Sequence, residues 1–278
     1  MAINYTEEEL ESFVDGVVKA RDLIKSKGPD FLIAPLGGAV PFIDIFCLSD
    51  SDYFDSVSME FPPTSSRFEN LDQMMGDWYY NFFRTNFAET ERHPINMVSI
   101  DEIVGGGSAV RNHNYLNAGM RKFVREELEK LTGKQVDVAS SEFLQRFNEM
   151  KNLVTYEAVG LAHEGGNDQT AKRYAKRRKH NQAYTRLVNE GKIIPIGVKK
   201  IITMDNPQLN PLKFSFVKNG SGKGHFLPEI ATVSYSTEYL DFLKNVAQYL
   251  GVDPVGANPS HTNNFRSFER YLSEQYKH

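Results

Sequence analysis

The sequence predicts an α/β protein: a parallel sheet with helices on both faces. Three observations predict it. Short apolar runs bounded by turn residues, near residues 31–34 and 95–100, alternate with longer segments of helical periodicity. Two glycine-containing turns each follow one of those runs directly. The chain of 278 residues, 40% hydrophobic and 24% charged, is long enough to bury a large core without staples.

Residues 6–27 read as an amphipathic helix. Leu10, Phe13, Val14, Val17, Val18 and Ile24 recur on one face, Thr6 and Glu9 form a capping box, and Gly28-Pro29 stops the helix. Residues 31–34 follow as a buried strand. Leu36-Gly37-Gly38 makes a turn, and residues 40–48 restart a helix that carries the one cysteine, Cys47, as a small apolar side chain. Residues 54–61 alternate loosely, as a second strand would, and 62–67 are loop. Residues 70–87 form an aromatic helix whose spacing suits core packing. Residues 95–100 are a strand, and a long helix runs from the next turn to about Leu131, ended by Gly133. Further strands are expected at 136–139, 153–162, 193–204 and 213–217. A helix is expected at 237–250, then a Pro/Gly-rich tail with a short helix from about 263. The reading divides the chain into a domain over 1–212, with its core at about 29–133 and 153–204, and a C-terminal extension over 213–278 packed on it.

The formal net charge of −4 gives no global attraction to nucleic acid or anionic lipid. One cysteine excludes an internal disulfide framework and a cysteine-based zinc site. Residues 1–10 are polar and acidic, without the pattern of a secretory signal, and no apolar run approaches membrane-spanning length. A cytoplasmic protein with no membrane partner is expected from these absences.

Ligands of parallel sheets bind beyond the carboxyl ends of the strands, and both glycine turns fall there. In the second turn a buried strand ends in Asp101 and Glu102. Ile103 and Val104 come next, and Gly105-Gly106-Gly107-Ser108 opens a helix. Glycines let backbone N–H groups approach a phosphate at a helix N-terminus, and the Ser108 hydroxyl adds a donor. Adjacent carboxylates accept hydrogen bonds from sugar hydroxyls and hold a hydrated Mg²⁺ indirectly.

This segment resembles the phosphoribosyl-pyrophosphate (PRPP) loop of the type I phosphoribosyltransferases. The turn at Leu36, Gly37 and Gly38 resembles their pyrophosphate loop, and the order along the chain is also the family's. The resemblance implies a phosphoribosyltransferase-like core with hood and C-terminal additions. It implies Asp101 and Glu102 on the ribose hydroxyls as the catalytic pair and on Mg²⁺ through water. It further implies Gly105, Gly106, Gly107 and Ser108 around the 5′-phosphate, and Leu36, Gly37 and Gly38 on pyrophosphate. Arg67 falls where the family's mobile loop lies, and Asp205, with Asn206, falls where its late region recognises the acceptor.

The implied activity is transfer of a phosphoribosyl group from PRPP to an unknown acceptor, by a magnesium-requiring glycosyltransferase. Two departures keep a second reading open. Leu36 stands where many members have a basic residue, and Gly105 stands where purine-using members have an acid. The alternative is a catalytically degenerate, nucleotide-sensing or complex-forming module. A third class is a hydrolase or glycosyltransfer enzyme acting on a nucleotide through the same fold. A homo-oligomer or a protein complex is compatible with either of the first two.

Of the nine residues 172–180, six are Lys or Arg, from Lys172 to Lys179. A solvated helix face is the first expectation, and a phosphate-, nucleic-acid- or acidic-partner-binding patch the second. His163-Glu164 is expected as an exposed polar strand end. Residues 220–225 read as a hairpin loop, since they lack full P-loop spacing.

Overall fold

The computed structural model describes residues 4–35, 38–62, 71–87, 92–164, 169–209, 212–218, 226–233 and 235–253. In chain order the elements begin with α1 (Glu7–Lys27), β1 (Phe31–Ile33), α2 (Val40–Ser56), β2 (Ser58–Glu60), α3 (Leu71–Asn86) and β3 (Ile95–Glu102). Then come α4 (Gly107–Thr132), α5 (Ser141–Leu153), β4 (Val154–His163), α6 (Gln169–His180), α7 (Gln182–Asn189) and β5 (Ile193–Val198). The remainder are α8 (Ile202–Asp205), a 3-10 turn at Pro207–Leu209, β6 (Leu212–Lys218), β7 (Phe226–Val233) and α9 (Thr237–Leu250).

Strands β1 to β5 form one parallel sheet in the order β2-β1-β3-β4-β5. Strands β6 and β7 pair antiparallel as a separate ribbon, flanking the expected hairpin loop, which itself lies outside the described residues. The sheet order reverses at β1. From there the chain crosses to β2 on one side, then returns past β1 to β3 and continues outward. Right-handed crossovers therefore put α2 on one face and α3 to α7 on the other.

Side chains alternate across the strands and feed two cores. Leu32, Val98, Ile100, Val159 and Leu161 point toward α1, α2 and α9. Ile33, Met97, Tyr156 and Ala158 point toward α3, α4, α5 and α7. The aromatic helix α3 fills the second core with Trp78, Tyr79, Phe82 and Phe83. The C-terminal α9 adds Tyr239, Phe242 and Val246 to the first.

The helix ends follow the sequence. Thr6 and Glu9 form the reciprocal capping box, and Gly28 and Gly133 close α1 and α4 in the left-handed conformation. Four expectations are corrected. Residues 136–139 form no strand. Val138 is 46% exposed there, so no core rewards an extended run, and Ser140 instead caps α5. The expected strand at 193–204 ends at Val198 and the chain turns into α8, which buries Ile201 and Ile202. The expected strand from 54 starts only at Ser58, because α2 runs on to Ser56 across a kink at Asp50. His163 is 1% exposed, a buried strand end rather than a solvated one. The tail beyond 253 lies outside the described residues. Among the described residues, no helix is long and apolar enough to cross a membrane.

Candidate functional site

Five parallel strands bring their carboxyl ends to one edge. Glu60 ends β2, Asp101 and Glu102 end β3, and His163 ends β4 with Glu164 next to it. The crevice between β1 and β3 is the point where the sheet order reverses.

Gly38, the described end of the first glycine turn, reaches this crevice. Gly38 follows β1 and packs against the acids of β3: a Cβ added to it would lie 2.9 Å from Asp101 Oδ1 and 3.7 Å from Glu102 Cγ. Leu36, Gly37 and Arg67 lie outside the described residues. Only the backbone of Asp205, the last residue of α8, is described.

The acids diverge across the sheet, as neighbours in a strand must. Asp101 shares a face with Ser99, on the α4 side, where Arg111 exerts a favourable field on it. Its Oδ1 accepts the Glu102 N–H at 2.8 Å. Burial is the larger influence and pushes its carboxyl up from 3.8 to about 7. Glu102 faces the other side, where Thr203 Oγ1 of α8 donates to its Oε1 at 2.5 Å. Glu60, two strands away, is also pushed up to about 7 by burial. This edge is therefore poorly hydrated and acidic, and it favours a ligand that brings hydroxyl donors or positive charge.

The turn after β3 has a defined shape. Ile103 N–H donates to the Leu161 carbonyl at 2.8 Å, and Gly160 of β4 leaves room where a Cβ would meet the Asp101 carbonyl and the Ile103 side chain. Gly106 caps α4 with φ 74°, and a Cβ there would meet the Tyr184 ring at 2.5 Å. Gly106 is buried, Gly105 and Gly107 are half-buried, and Ser108 is exposed. The first turn of α4 contains no acid, so its free N–H groups face no competing carboxylate of their own helix.

Arg178 connects this turn to its surroundings. The side chain is only 7% exposed. Its Nη1 donates to the Val104 carbonyl at 2.7 Å and the Ile103 carbonyl at 3.3 Å, and its Nη2 donates to the His163 carbonyl at 3.0 Å. One member of the basic run is thus a structural brace. Arg177 reaches the space beside Gly105, while Lys172 and Lys179 are exposed. Asn206 is buried: its Oδ1 accepts the Asn4 N–H and its Nδ2 donates to the Ile202 carbonyl, so it ties the N-terminus to α8.

Sequence reasoning missed Thr203, Gly160 and Glu60, and it named Arg178 in the basic run and Tyr184 as a stacking ring beside it without their contacts to the turn after β3. Arg178 carried a signal: with Ala171 and Ala175 it falls at i, i+4, i+7, which puts it on the inward side of α6. Thr203 carried none, being 101 residues from its partner.

Fold and site define an α/β protein with a doubly wound parallel sheet and an acidic, glycine-built crevice at the reversal of strand order. No protein-family model, no curated protein and no solved structure matches the chain.

Proposed function

We propose that this crevice binds a phosphorylated ribose, with PRPP as the donor, and that the protein is a divergent phosphoribosyltransferase-like transferase. The observation that carries the reading is the approach of Gly38, beyond β1, to Asp101 and Glu102, the acids that precede the second glycine turn. On this reading Asp101 and Glu102 accept hydrogen bonds from the ribose hydroxyls. The N–H groups of Gly107 and Ser108, with the Ser108 hydroxyl, take the 5′-phosphate. The turn containing Leu36, Gly37 and Gly38 takes the diphosphate.

The reaction breaks the bond from the anomeric carbon to the diphosphate oxygen and forms one to the acceptor. The diphosphate leaves with the bonding electron pair. The protein's part is to hold both partners in line and to stabilise charge on the leaving group. Among the described residues no cluster of three or more His, Cys, Asp and Glu could hold a bare metal ion. The adjacent acids suit a hydrated Mg²⁺ carried in by the diphosphate, where it would offset the leaving group's charge.

One observation favours a second reading, a binding module without turnover. Both acids already have partners inside the protein, Asp101 the Glu102 N–H and Glu102 the Thr203 hydroxyl. Calorimetry with PRPP and Mg²⁺, paired with pyrophosphate release across a panel of bases, tests both. Saturable binding with release supports the transferase, and binding without release supports the module. No binding overturns both.

A further inference from the structure

We propose that the cleft between α6 and α7 is a second ligand site, one that takes a small molecule with an apolar body and an anionic group. The inference does not depend on what the β1–β3 crevice binds.

The cleft encloses about 430 Å³, within the range of small-molecule sites. It exists because two alanines, Ala171 and Ala175, occupy the side of α6 that faces Tyr184 and Val188 of α7. A larger residue at either position would close it. These four side chains give an apolar slot, to which Tyr184, 6% exposed and packed on Gly106, presents only a small part of its surface.

The charge around the slot is positive. Lys172 and Lys179, seven residues apart on one side of α6, form the rim, and Arg178 forms the floor. The Arg178 guanidinium is buried with three backbone carbonyls as its partners. Among the described residues no carboxylate forms an ion pair with Arg178, Lys172 or Lys179. Carbonyl dipoles solvate a buried cation only in part, and an anion in the cleft would complete the neutralisation. Glu164, the one acid of the lining, packs over Gly197 of β5 and leaves the cations in excess. Apolar walls with cations at rim and floor select an anion with a small apolar body, such as an aromatic acid or an aryl phosphate, over its neutral counterpart.

The site also adjoins the other crevice. Tyr184 is shared between the slot and Gly106, and Arg178 between the slot and the carbonyls of Ile103 and Val104. A bound ligand would therefore be sensed at the turn after β3.

Two-dimensional ¹⁵N–¹H spectra of the full chain, titrated with benzoate, phenyl phosphate and neutral benzamide, test the proposal. Benzoate and phenyl phosphate are expected to shift the amides of Ala175, Tyr184 and Gly106 saturably, and benzamide to bind at least tenfold more weakly. Ala175→Leu, which fills the slot, should abolish the shifts. Replacing the two exposed lysines, Lys172→Ala with Lys179→Ala, should weaken binding about tenfold and leaves the fold untouched should the leucine variant not fold. The proposal is overturned by absence of saturable shifts, by equal affinity for benzamide, or by unchanged affinity in the lysine variant. Titrating the same protein with PRPP and Mg²⁺ reports on the β1–β3 crevice through Gly38 and Asp101, so failure of either site is seen separately.

Discussion

Replacing Asp101 by Asn removes the charge that the crevice hydrates poorly and keeps an oxygen for the Glu102 N–H. Burial raises the carboxyl from 3.8 to about 7. A folded-state value above the unfolded one means that the native protein binds more protons between those limits. Stability therefore falls as pH rises from about 4 to about 7 and stays low above it. At about 1.36 kcal/mol per pH unit, the full effect is on the order of 4 kcal/mol. That is an upper limit, because the residue is half-buried and water screens part of the penalty. Asp101→Asn should match the parent near pH 4 and exceed it by a margin that grows to a few kcal/mol by pH 8. Urea unfolding followed by circular dichroism at intervals from pH 4 to 8 measures this. The difference between the two proteins is the quantity to read, since Asp44 and Glu60, also raised to about 7, titrate in the same window. A difference independent of pH, or one that shrinks as pH rises, refutes the placement of Asp101 in a poorly hydrated crevice.

Three further outcomes are expected. Gly106→Ala should cost about 2 to 3 kcal/mol, from the left-handed backbone and the contact with Tyr184; thermal melts should show that adding Tyr184→Ala recovers only the steric part. Arg178→Met keeps the length of the chain but leaves the Ile103, Val104 and His163 carbonyls without their donor. It should cost about 3 kcal/mol in urea and speed amide exchange through residues 103–106. Tyr239 donates to the buried Asp44 between α9 and α2, and that bond opposes the burial that raises Asp44 to about 7. Tyr239→Phe should therefore raise the carboxyl further and destabilise more at pH 8 than at pH 5, as paired unfolding curves would record.

The sequence was most legible where the signal is local. The capping pair Thr6 and Glu9, the glycine stops at 28 and 133, and the aromatic spacing of α3 each arise within a turn or two of chain, and the helices follow them. The readings that missed were those where a weak local preference met no packing reward. Val136 to Ala139 had strand-like residues but no strand to pair with. Ile201 and Ile202 continued an apolar run yet reached the core as a helix start. Asp101, Glu102, Gly38 and the turn at 105–108 were legible because strand, acids and glycines lie in one short stretch or beside a strand end. Their partners were not. Thr203, Tyr184 and Arg178 come from elements distant in sequence, and a basic run reads as solvated until the fold turns one of its members inward.

The pairing of Phe31 with Met97 joins residues whose numbers differ by 66, and everything in the crevice depends on it. No local fragment contains both halves. The entropy of closing so long a segment must be met before the acids and Gly38 come together, so contacts within single helices are expected to form first. A chain cut between β2 and β3 would carry one turn on each piece, and neither piece alone would hold the crevice.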